Sequence, residues 1–259
     1  MIIKALPNEE YHTRPEISKS GLDRIAISPL FFKEGEYTES ASMSLGTLIH
    51  TVILEHHEFN CRYVVGPDAD KNTKSWKNFV NEIGPGLIPL KPCEYDKAMF
   101  IRNSVFRHPK AKELLDLAGR SEISVINELN GIPVRCRPDR LTDNGICIDL
   151  KTTRSVQTRS ISKSMHDYRY HVQNAFYFDV LRAEGIDIEG FVFIFVETSP
   201  PYDVNVCMLT DDAIELGRNL YKRDIETYKQ CLESDKWPGV SDTVTEIDLP
   251  RYAYYEGNV

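Results

Sequence analysis

Several signatures that would assign this sequence to a familiar class at once are missing. Its six cysteines form no C-x-x-C pair and have no histidine pairing nearby, which excludes the common zinc and iron–sulfur frameworks. The amino-terminal segment has no apolar signal-peptide core, and no apolar run approaches the length of a membrane span. We therefore expect free, buried thiols, a cytoplasmic location and no membrane contact.

Positive charge is scarce as well. The 259 residues include 31 Lys and Arg against 39 Asp and Glu, which gives a formal net charge of −8. A protein that coats a polyanion is normally basic. If this chain acts on nucleic acid, it must use a local basic surface or metal ions held by its carboxylates.

The composition, 41% hydrophobic and 27% charged, is that of a folded globular protein. Apolar residues recur at helical spacing over about 43–56, with His50 beside the apolar stripe. Residues 66–92 are rich in Lys, Asn, Gly and Pro and predict a long loop with one turn of helix around Trp76.

Strand patterns occupy the middle of the chain. Residues 122–129 and 132–141 flank Asn-Gly, the strongest short hairpin signal, and residues 146–151 follow a second turn at 143–145. We predict a three-stranded antiparallel meander. The later patterns predict a helix, two strands and a last helix, over 160–183, 191–196, 204–209 and 210–234. No repeat or linker is evident, so we expect one domain, 1–259, with a core over about 43–209.

The first turn brings two carboxylates together. A two-residue loop at Asn130-Gly131 pairs 129 with 132, and the same register places Glu122 opposite Asp139. Facing Cβ atoms on one side of a sheet are ~5 Å apart. At an effective dielectric constant near 20, two such charges repel by roughly 3 kcal/mol, which calls for a compensating cation.

The second turn leaves alternatives. A two-residue loop would place Leu150 opposite Asp139, whereas a three-residue loop with glycine in the left-handed position would place Asp149 there. A bulge at Pro138, which cannot donate to a ladder, would also change the register. We favour one of the last two. Lys151 then shares the face of Asp149, two residues before it.

Three acids and a lysine on one sheet face suit metal-dependent phosphodiester hydrolysis. Carboxylates hold Mg²⁺, which neutralises phosphate charge and activates a water, while the lysine orients that water or helps to deprotonate it. The competing interpretation is an exposed ion-pair ladder on a solvated face, which would be favoured for an isolated D-x-K. The convergence of Glu122, Asp139 and Asp149 favours the metal site.

The same residues resemble a known superfamily. Pro138-Asp139, nine residues and then Asp149-Leu150-Lys151 resemble the PD-(D/E)XK nuclease signature. His50 resembles the upstream helix histidine of the RecB-like subgroup, and Gln173 with Tyr177 matches its Q-x-x-x-Y motif.

The stretch from Tyr11-His12 to Phe32, together with Cys136-Arg137-Pro138-Asp139, is most similar to the nuclease domain of the RecE (exodeoxyribonuclease VIII) family. The similarity spans most of residues 10–235.

This resemblance implies an α/β, restriction-endonuclease-like fold, with a central mixed sheet flanked by helices. It also implies processive, Mg²⁺-dependent 5′-to-3′ digestion of double-stranded DNA ends, with Mn²⁺ as a possible substitute. The products would be 5′-mononucleotides and 3′ single-strand overhangs for prophage-type recombination. A ring-shaped homotetramer and a RecT-type single-strand annealing partner are further implications.

The resemblance implies roles for individual residues. Glu122, Asp139 and Asp149 would bind metal with help from His50, while Lys151 assists the attacking water. Gln173 and Tyr177 lie one helical turn apart, either at the edge of the active site or on a polar rim.

Basic residues that could grip DNA phosphates follow the catalytic strand or lie in the 66–92 segment, where an aromatic could stack on bases; they are Arg154, Arg159, Lys163, Arg169, Lys74, Lys77 and Trp76. The alternatives are solvated charges and a loop-anchoring tryptophan. Two competing functions are an endonuclease of the same fold and a catalytically silent DNA-binding scaffold.

Overall fold

The computed structural model describes residues 1–3, 6–36, 41–250 and 254. Its strands are β1 Ile2–Ile3, β2 Tyr63–Val65, β3 Ile88–Leu90, β4 Gly119–Ser121, β5 Ser124–Leu129, β6 Ile132–Cys136, β7 Arg140–Thr142, β8 Ile146–Thr153, β9 Gly190–Glu197 and β10 Val204–Cys207. Its α-helices are α1 Asn8–Thr13, α2 Lys19–Ile27, α3 Pro29–Glu34, α4 Ala41–Leu54, α5 Phe59–Arg62, α6 Lys74–Glu82, α7 Pro92–Arg107, α8 Pro109–Asp116, α9 Thr158–Asp167, α10 Tyr170–Ala183 and α11 Asp211–Ser234.

A five-stranded sheet of order β10-β9-β8-β7-β4 forms the centre of the fold. Its β8–β9 pair is parallel and its other pairs are antiparallel, so the sheet is mixed. A three-stranded sheet, β1-β5-β6, and a parallel β2–β3 pair complete the strands. The predicted α/β architecture with a central mixed sheet flanked by helices is confirmed.

Helices cover both faces of β8 and β9, which explains their nearly continuous apolar sequences. Alternate residues such as Ile148 and Ile194 join the core shared with α4, α7 and α8. The opposite face, with Cys147 and Phe193, joins the core shared with α2, α10 and α11. Asp149, on the face of Cys147, is therefore a carboxylate inside an otherwise apolar layer.

The first hairpin keeps the predicted register but not the predicted sheet. Leu129 pairs with Ile132, and the pairing of Ser121 with Arg140 belongs to the same series. Between β6 and β7, however, the strand is interrupted at 137–139, so β5–β6 and β4–β7 lie in different sheets. Pro138 has no N–H to donate to a ladder, which is consistent with a break there. The prediction of a continuous three-stranded meander was wrong.

The second hairpin has the three-residue loop. Arg140 pairs with Ile148 and Leu141 with Cys147, a register that sets Asp139 opposite Asp149. Gly145 has φ +80°, and its N–H donates to the carbonyl of Thr142 at 3.1 Å. Among the alternatives left open by the sequence, this one is confirmed.

The long helix predicted over 160–183 is two helices, α9 and α10. The chain turns at Tyr168 and Arg169, and Arg169 has a φ of 54°, in the left-handed region. Its guanidinium forms ion pairs with Asp23 and Asp224, which hold the turn against α2 and α11. These tertiary partners were invisible to helical periodicity.

Two of the predicted helices are present with slightly different bounds, whereas the predicted long loop contains regular secondary structure. The helix predicted at 43–56 is Ala41–Leu54, and the last helix is Asp211–Ser234. The predicted loop at 66–92 contains α6 and β3, and α7 was missed.

The six cysteines are free, as expected, but Cys61 and Cys93 are exposed and Cys207 is half-buried, so the expectation of buried thiols was wrong for these three. Among the described residues, no helix has the length and apolar character needed to cross a membrane. The single domain, 1–259, stays a prediction, and it includes residues outside the described ranges.

Candidate functional site

The break in the first hairpin places two acids side by side. Glu122 follows β4 and has a φ of 53°, a left-handed conformation that costs about 1–2 kcal/mol for a residue with a side chain. Its N–H donates to the carbonyl of Asp139 at 3.1 Å, as the predicted register requires. Strained backbone of this kind persists only where surrounding contacts enforce it, and it is common at functional sites.

His50 completes a three-residue cluster. Its Nδ1 lies 3.8 Å from Glu122 Oε1 and 3.6 Å from Asp139 Oδ2. One ligand atom from each of the three side chains lies within 4.8 Å of the other two. At that separation the two carboxylates repel by roughly 3 kcal/mol at an effective dielectric constant near 20. Two carboxylates and an imidazole are a donor set that suits a divalent cation.

The imidazole is oriented by the backbone of β8. His50 Nε2 lies 3.0 Å from the carbonyl oxygen of Leu150, which can only accept a hydrogen bond, so Nε2 carries a hydrogen. Nδ1 is therefore the nitrogen that faces the acids, and this arrangement fixes the ring of a potential metal ligand. Burial lowers the pKa of His50, but the charges of Asp139 and Glu122 outweigh it and raise the pKa to about 9.

Asp139 is held by the neighbouring strand. Its Oδ2 accepts a hydrogen bond from the N–H of Leu150 at 2.7 Å. Burial raises the pKa of Asp139 despite the positive charges of His50 and Lys151. The carboxylate is thus a partly desolvated anion with a fixed position.

Asp149 interacts with two side chains outside the His50–Glu122–Asp139 cluster. It is 1% exposed; its Oδ2 lies 2.6 Å from Lys151 Nζ, and its Oδ1 accepts a hydrogen bond from Gln173 Nε2. Burial raises the pKa of Asp149 to about 6, with Lys151 opposing it. The structure groups His50, Glu122 and Asp139, with Asp149 beside them, and the predicted set of four metal ligands stays a prediction.

Lys151 lies between this carboxylate and an aromatic ring. Its Nζ is 4.7 Å from the ring centroid of Tyr170, within cation–π range. Burial lowers the pKa of Lys151, but Asp149 and Asp139 outweigh burial and raise it. The side chain is a charged hydrogen-bond donor at the site.

A cleft of about 230 Å³ opens onto these groups. Asp139, Asp149, Lys151, Gln173 and Tyr177 line one side of it. The other side is formed by the amino-terminal segment, with Tyr11, His12, Ser18, Lys19 and Ser20. A polar cleft with acids, one lysine and convergent donors is suited to binding a phosphate together with a cation.

Comparison with known protein families assigns this chain to one of them. The family described as "PDDEXK-like domain of unknown function (DUF3799)" matches residues 30–250. The chain belongs to this family. No curated protein matches the chain significantly.

Solved structures resemble this PDDEXK-like domain at low sequence identity. A candidate exonuclease from Eubacterium rectale is 13% identical and has a TM-score of 0.67, covering 98% of this chain and 99% of its own. A phage-related exonuclease from Haemophilus somnus 129PT is 13% identical and has a TM-score of 0.36, covering 87% of this chain and 99% of its own. The first of these shows that the fold is shared.

The Q-x-x-x-Y pair of the PDDEXK-like domain lies at the cleft. Gln173 donates to Asp149, and Tyr177, one turn further along α10, lines the same cleft. Of the two interpretations weighed from the sequence, contact with the edge of the site is the one this geometry favours.

The basic candidates after β8 divide into two groups. Arg154, Arg159 and Lys163 are exposed. Arg169 instead bonds Asp224, a buried carboxylate, and lies 3.6 Å from Asp23. The prediction that Arg169 binds DNA is corrected, because its charge is used inside the protein.

Trp76 is not available to bases. It is 4% exposed, on the buried side of α6, and packs against Phe79. Stacking of Trp76 on DNA was therefore a wrong prediction, and its loop-anchoring alternative fits. Lys74 and Lys77, on the same helix, are exposed.

Sequence reasoning assigned no role to several residues of the cleft. Lys19 Nζ donates to the carbonyl of Tyr168 at 2.7 Å and lies 5.8 Å from the ring centroid of Tyr170. Ser18 caps α2 by accepting a hydrogen bond from the N–H of Gly21. A serine just before an apolar helical pattern is a capping signal, but nothing local in the sequence showed that this helix end faces β8.

Proposed function

We propose that this PDDEXK-like domain is a metal-dependent nuclease that hydrolyses DNA phosphodiester bonds. The observation that carries the proposal is that Asp139, a member of the His50–Glu122–Asp139 donor cluster, lines the same cleft as the Asp149–Lys151 ion pair. A solvated ion-pair ladder would leave each acid with its own cation. Here three carboxylates converge on a single lysine and a histidine.

The chemistry follows from the positions of the side chains. His50, Glu122 and Asp139 would hold a divalent ion, Mg²⁺ or in its place Mn²⁺, with Asp149 as a neighbouring acid. Such an ion neutralises phosphate charge and lowers the pKa of a water. Lys151 Nζ donates hydrogen bonds to the attacking water or to a phosphate oxygen, where it stabilises developing negative charge. Gln173 holds Asp149, and thereby Lys151, in place.

We further propose that the enzyme is an exonuclease acting on double-stranded DNA ends. The similarity of its motifs to the RecE family supports processive 5′-to-3′ digestion, release of 5′-mononucleotides and 3′ overhangs for phage-type recombination. The same resemblance supports a ring-shaped homotetramer, a RecT-type annealing partner and a cytoplasmic location. A ring with a basic interior would also reconcile the net charge of −8 with DNA binding.

Digestion of labelled duplexes tests the reaction and its direction together. Linear DNA carrying a 5′ or a 3′ label is incubated with the protein in Mg²⁺ or in EDTA, beside a covalently closed plasmid. We expect degradation only in Mg²⁺, early release of the 5′ label as a mononucleotide, and an intact closed plasmid.

Each alternative has a distinct result in this assay. Cleavage of the closed plasmid would show an endonuclease. Binding without cleavage in any divalent ion would show a silent scaffold and contradict the proposal, and early release of the 3′ label would reverse the polarity. Lys151→Ala protein serves as the control for a contaminating nuclease.

A further inference from the structure

A second cavity lies between α10, the start of β9 and the first turns of α11. It encloses about 470 Å³ and shares no lining residue with the catalytic cleft. Apolar side chains, from Phe178, Phe191, Leu209 and Ile214, form much of its wall. Its volume is within the range of small-ligand sites, about 300–1,000 Å³.

A buried amide without partners borders this cavity. Asn174 is 0% exposed, and neither its Oδ1 nor its Nδ2 forms a hydrogen bond within the described part of the chain. An unsatisfied buried polar group costs about 1–3 kcal/mol, whereas an apolar residue at the same place would cost nothing of this kind. An amide that accepts through one atom and donates through the other is suited to pair with another amide.

The mouth of the cavity is negatively charged. Four exposed acids line it, Glu189, Asp211, Asp212 and Glu215. Arg218 also lines it, but its guanidinium is occupied by Asp179 at 2.9 and 3.2 Å and by Glu215 at 2.6 Å. Although helix amino termini favour anions, Asp211 and Asp212 already occupy the first turn of α11. Anionic ligands are therefore disfavoured and cationic ones are favoured.

We propose that this cavity is a docking site for a basic peptide segment of a partner protein. A peptide amide of the segment pairs with Asn174, an apolar side chain packs against the aromatic wall, and a lysine or arginine side chain meets the acidic mouth. Charge complementarity selects this occupant over a nucleotide or an acidic peptide. The inference is independent of the proposed nuclease activity, because it uses no residue of the catalytic cleft.

Calorimetric titration of the full chain with acetyl-Leu-Arg-amide tests the site. We expect saturable 1:1 binding. The citrulline analogue, which keeps the shape but not the charge, should bind at least about tenfold more weakly, as should agmatine, which has the cation without a peptide amide. Absence of binding by acetyl-Leu-Arg-amide, or equal binding of the citrulline analogue, would overturn the proposal. Equal binding of agmatine would show a site for a free amine and would also overturn it.

Two variants separate recognition from folding. Asn174→Leu should weaken peptide binding at least about tenfold while leaving the Tm unchanged or higher, because an unpaired buried amide is replaced by an apolar group. Unchanged binding in this variant contradicts the proposal. The double variant Glu189→Gln/Asp212→Asn should also weaken binding, whereas the matched pair Glu113→Gln/Asp116→Asn on α8 should not. If both pairs of substitutions weakened binding equally, the effect would come from general surface charge rather than from the acids at the mouth. That result would refute charge-selective docking.

Discussion

Two clusters of charged side chains lie on adjoining parts of this molecule and differ in charge balance. In the first, Asp23 and Asp224 are surrounded by Lys19, Arg169 and Arg223, two acids against three cations. The second is the candidate metal site. There, Glu122, Asp139 and Asp149 have only Lys151 and His50 at ion-pair distance, three acids against two cations, while Arg137 and Arg62 act on Glu122 from further away.

The difference shows how a structural network can be told apart from a functional one. The Asp23–Asp224 cluster, built from α2, α11 and the turn before α10, satisfies its own charges and ties these elements together. The candidate metal site is left with excess negative charge and a left-handed residue at its centre. Such an arrangement favours the binding of a further cation, because carboxylates at this spacing repel.

The largest effect should come from breaking the balanced cluster. Asp224 is 2% exposed and bonds both Arg169 and Arg223. Asp224→Asn removes the nearest partner of Arg169, which is 17% exposed and would keep only Asp23 at 3.6 Å, so we expect the free energy of unfolding to fall by about 3 kcal/mol. Urea denaturation measures this loss. The matched variant Asp116→Asn breaks an exposed pair with Lys112 and should change stability by less than about 1 kcal/mol; comparable losses would remove the distinction.

The next effect concerns catalysis. Lys151→Ala removes the donor beside Asp149, and we expect the rate of DNA hydrolysis to fall by about 100-fold to 1,000-fold with the fold retained. Initial rates on linear duplex, with circular dichroism as the folding check, provide the measurement. Lys112→Ala, on the exposed surface of α8, is the control. Full activity of the Lys151 variant would refute the role assigned to that residue.

A smaller effect tests the excess charge directly. Glu122→Gln removes one repelling carboxylate, so stability in EDTA should be unchanged or higher. Saturating Mg²⁺ or Mn²⁺, at 100 times its Kd, stabilises a binding protein by about 2.7 kcal/mol. We expect this metal-dependent gain in the unmodified protein and its loss in the variant, as measured by thermal unfolding. Glu113→Gln is the exposed control, and equal gains in both variants would exclude Glu122 as a ligand.

The smallest effect distinguishes exposed basic residues from those that form ion pairs inside the protein. Arg159 and Lys163 are exposed, so replacing both by Ala should leave stability within about 0.5 kcal/mol. If both contact phosphates, the slope of log K against log salt should become shallower by about 2. Fluorescence anisotropy with the Lys151→Ala protein as background measures binding without cleavage. Arg169→Ala should behave in the opposite manner, with lower stability; an unchanged salt slope in the double variant would show that these residues do not touch DNA.

Much of the strand register could be inferred from local patterns. The Asn130-Gly131 turn set a register that holds from Leu129–Ile132 to Ser121–Arg140, and it predicted Glu122 opposite Asp139. Once the turn fixes the first antiparallel pair, every later pair follows from it, one residue further along each strand. The register therefore continues even where the strand passes into another sheet. The second turn was ambiguous, because a loop of two or three residues differs only in local backbone conformation.

The local sequence therefore determined the turns, the helix caps, the buried strands and the carboxylates that these strands carry. Each of these features depends on neighbours within a few residues. Contacts between distant segments depended on packing. Only the folded molecule shows that Asp149 accepts a hydrogen bond from Gln173, that Arg169 forms an ion pair with Asp224 and that Trp76 is buried. These outcomes follow from which helix covers which sheet face, and no short-range pattern contains that information.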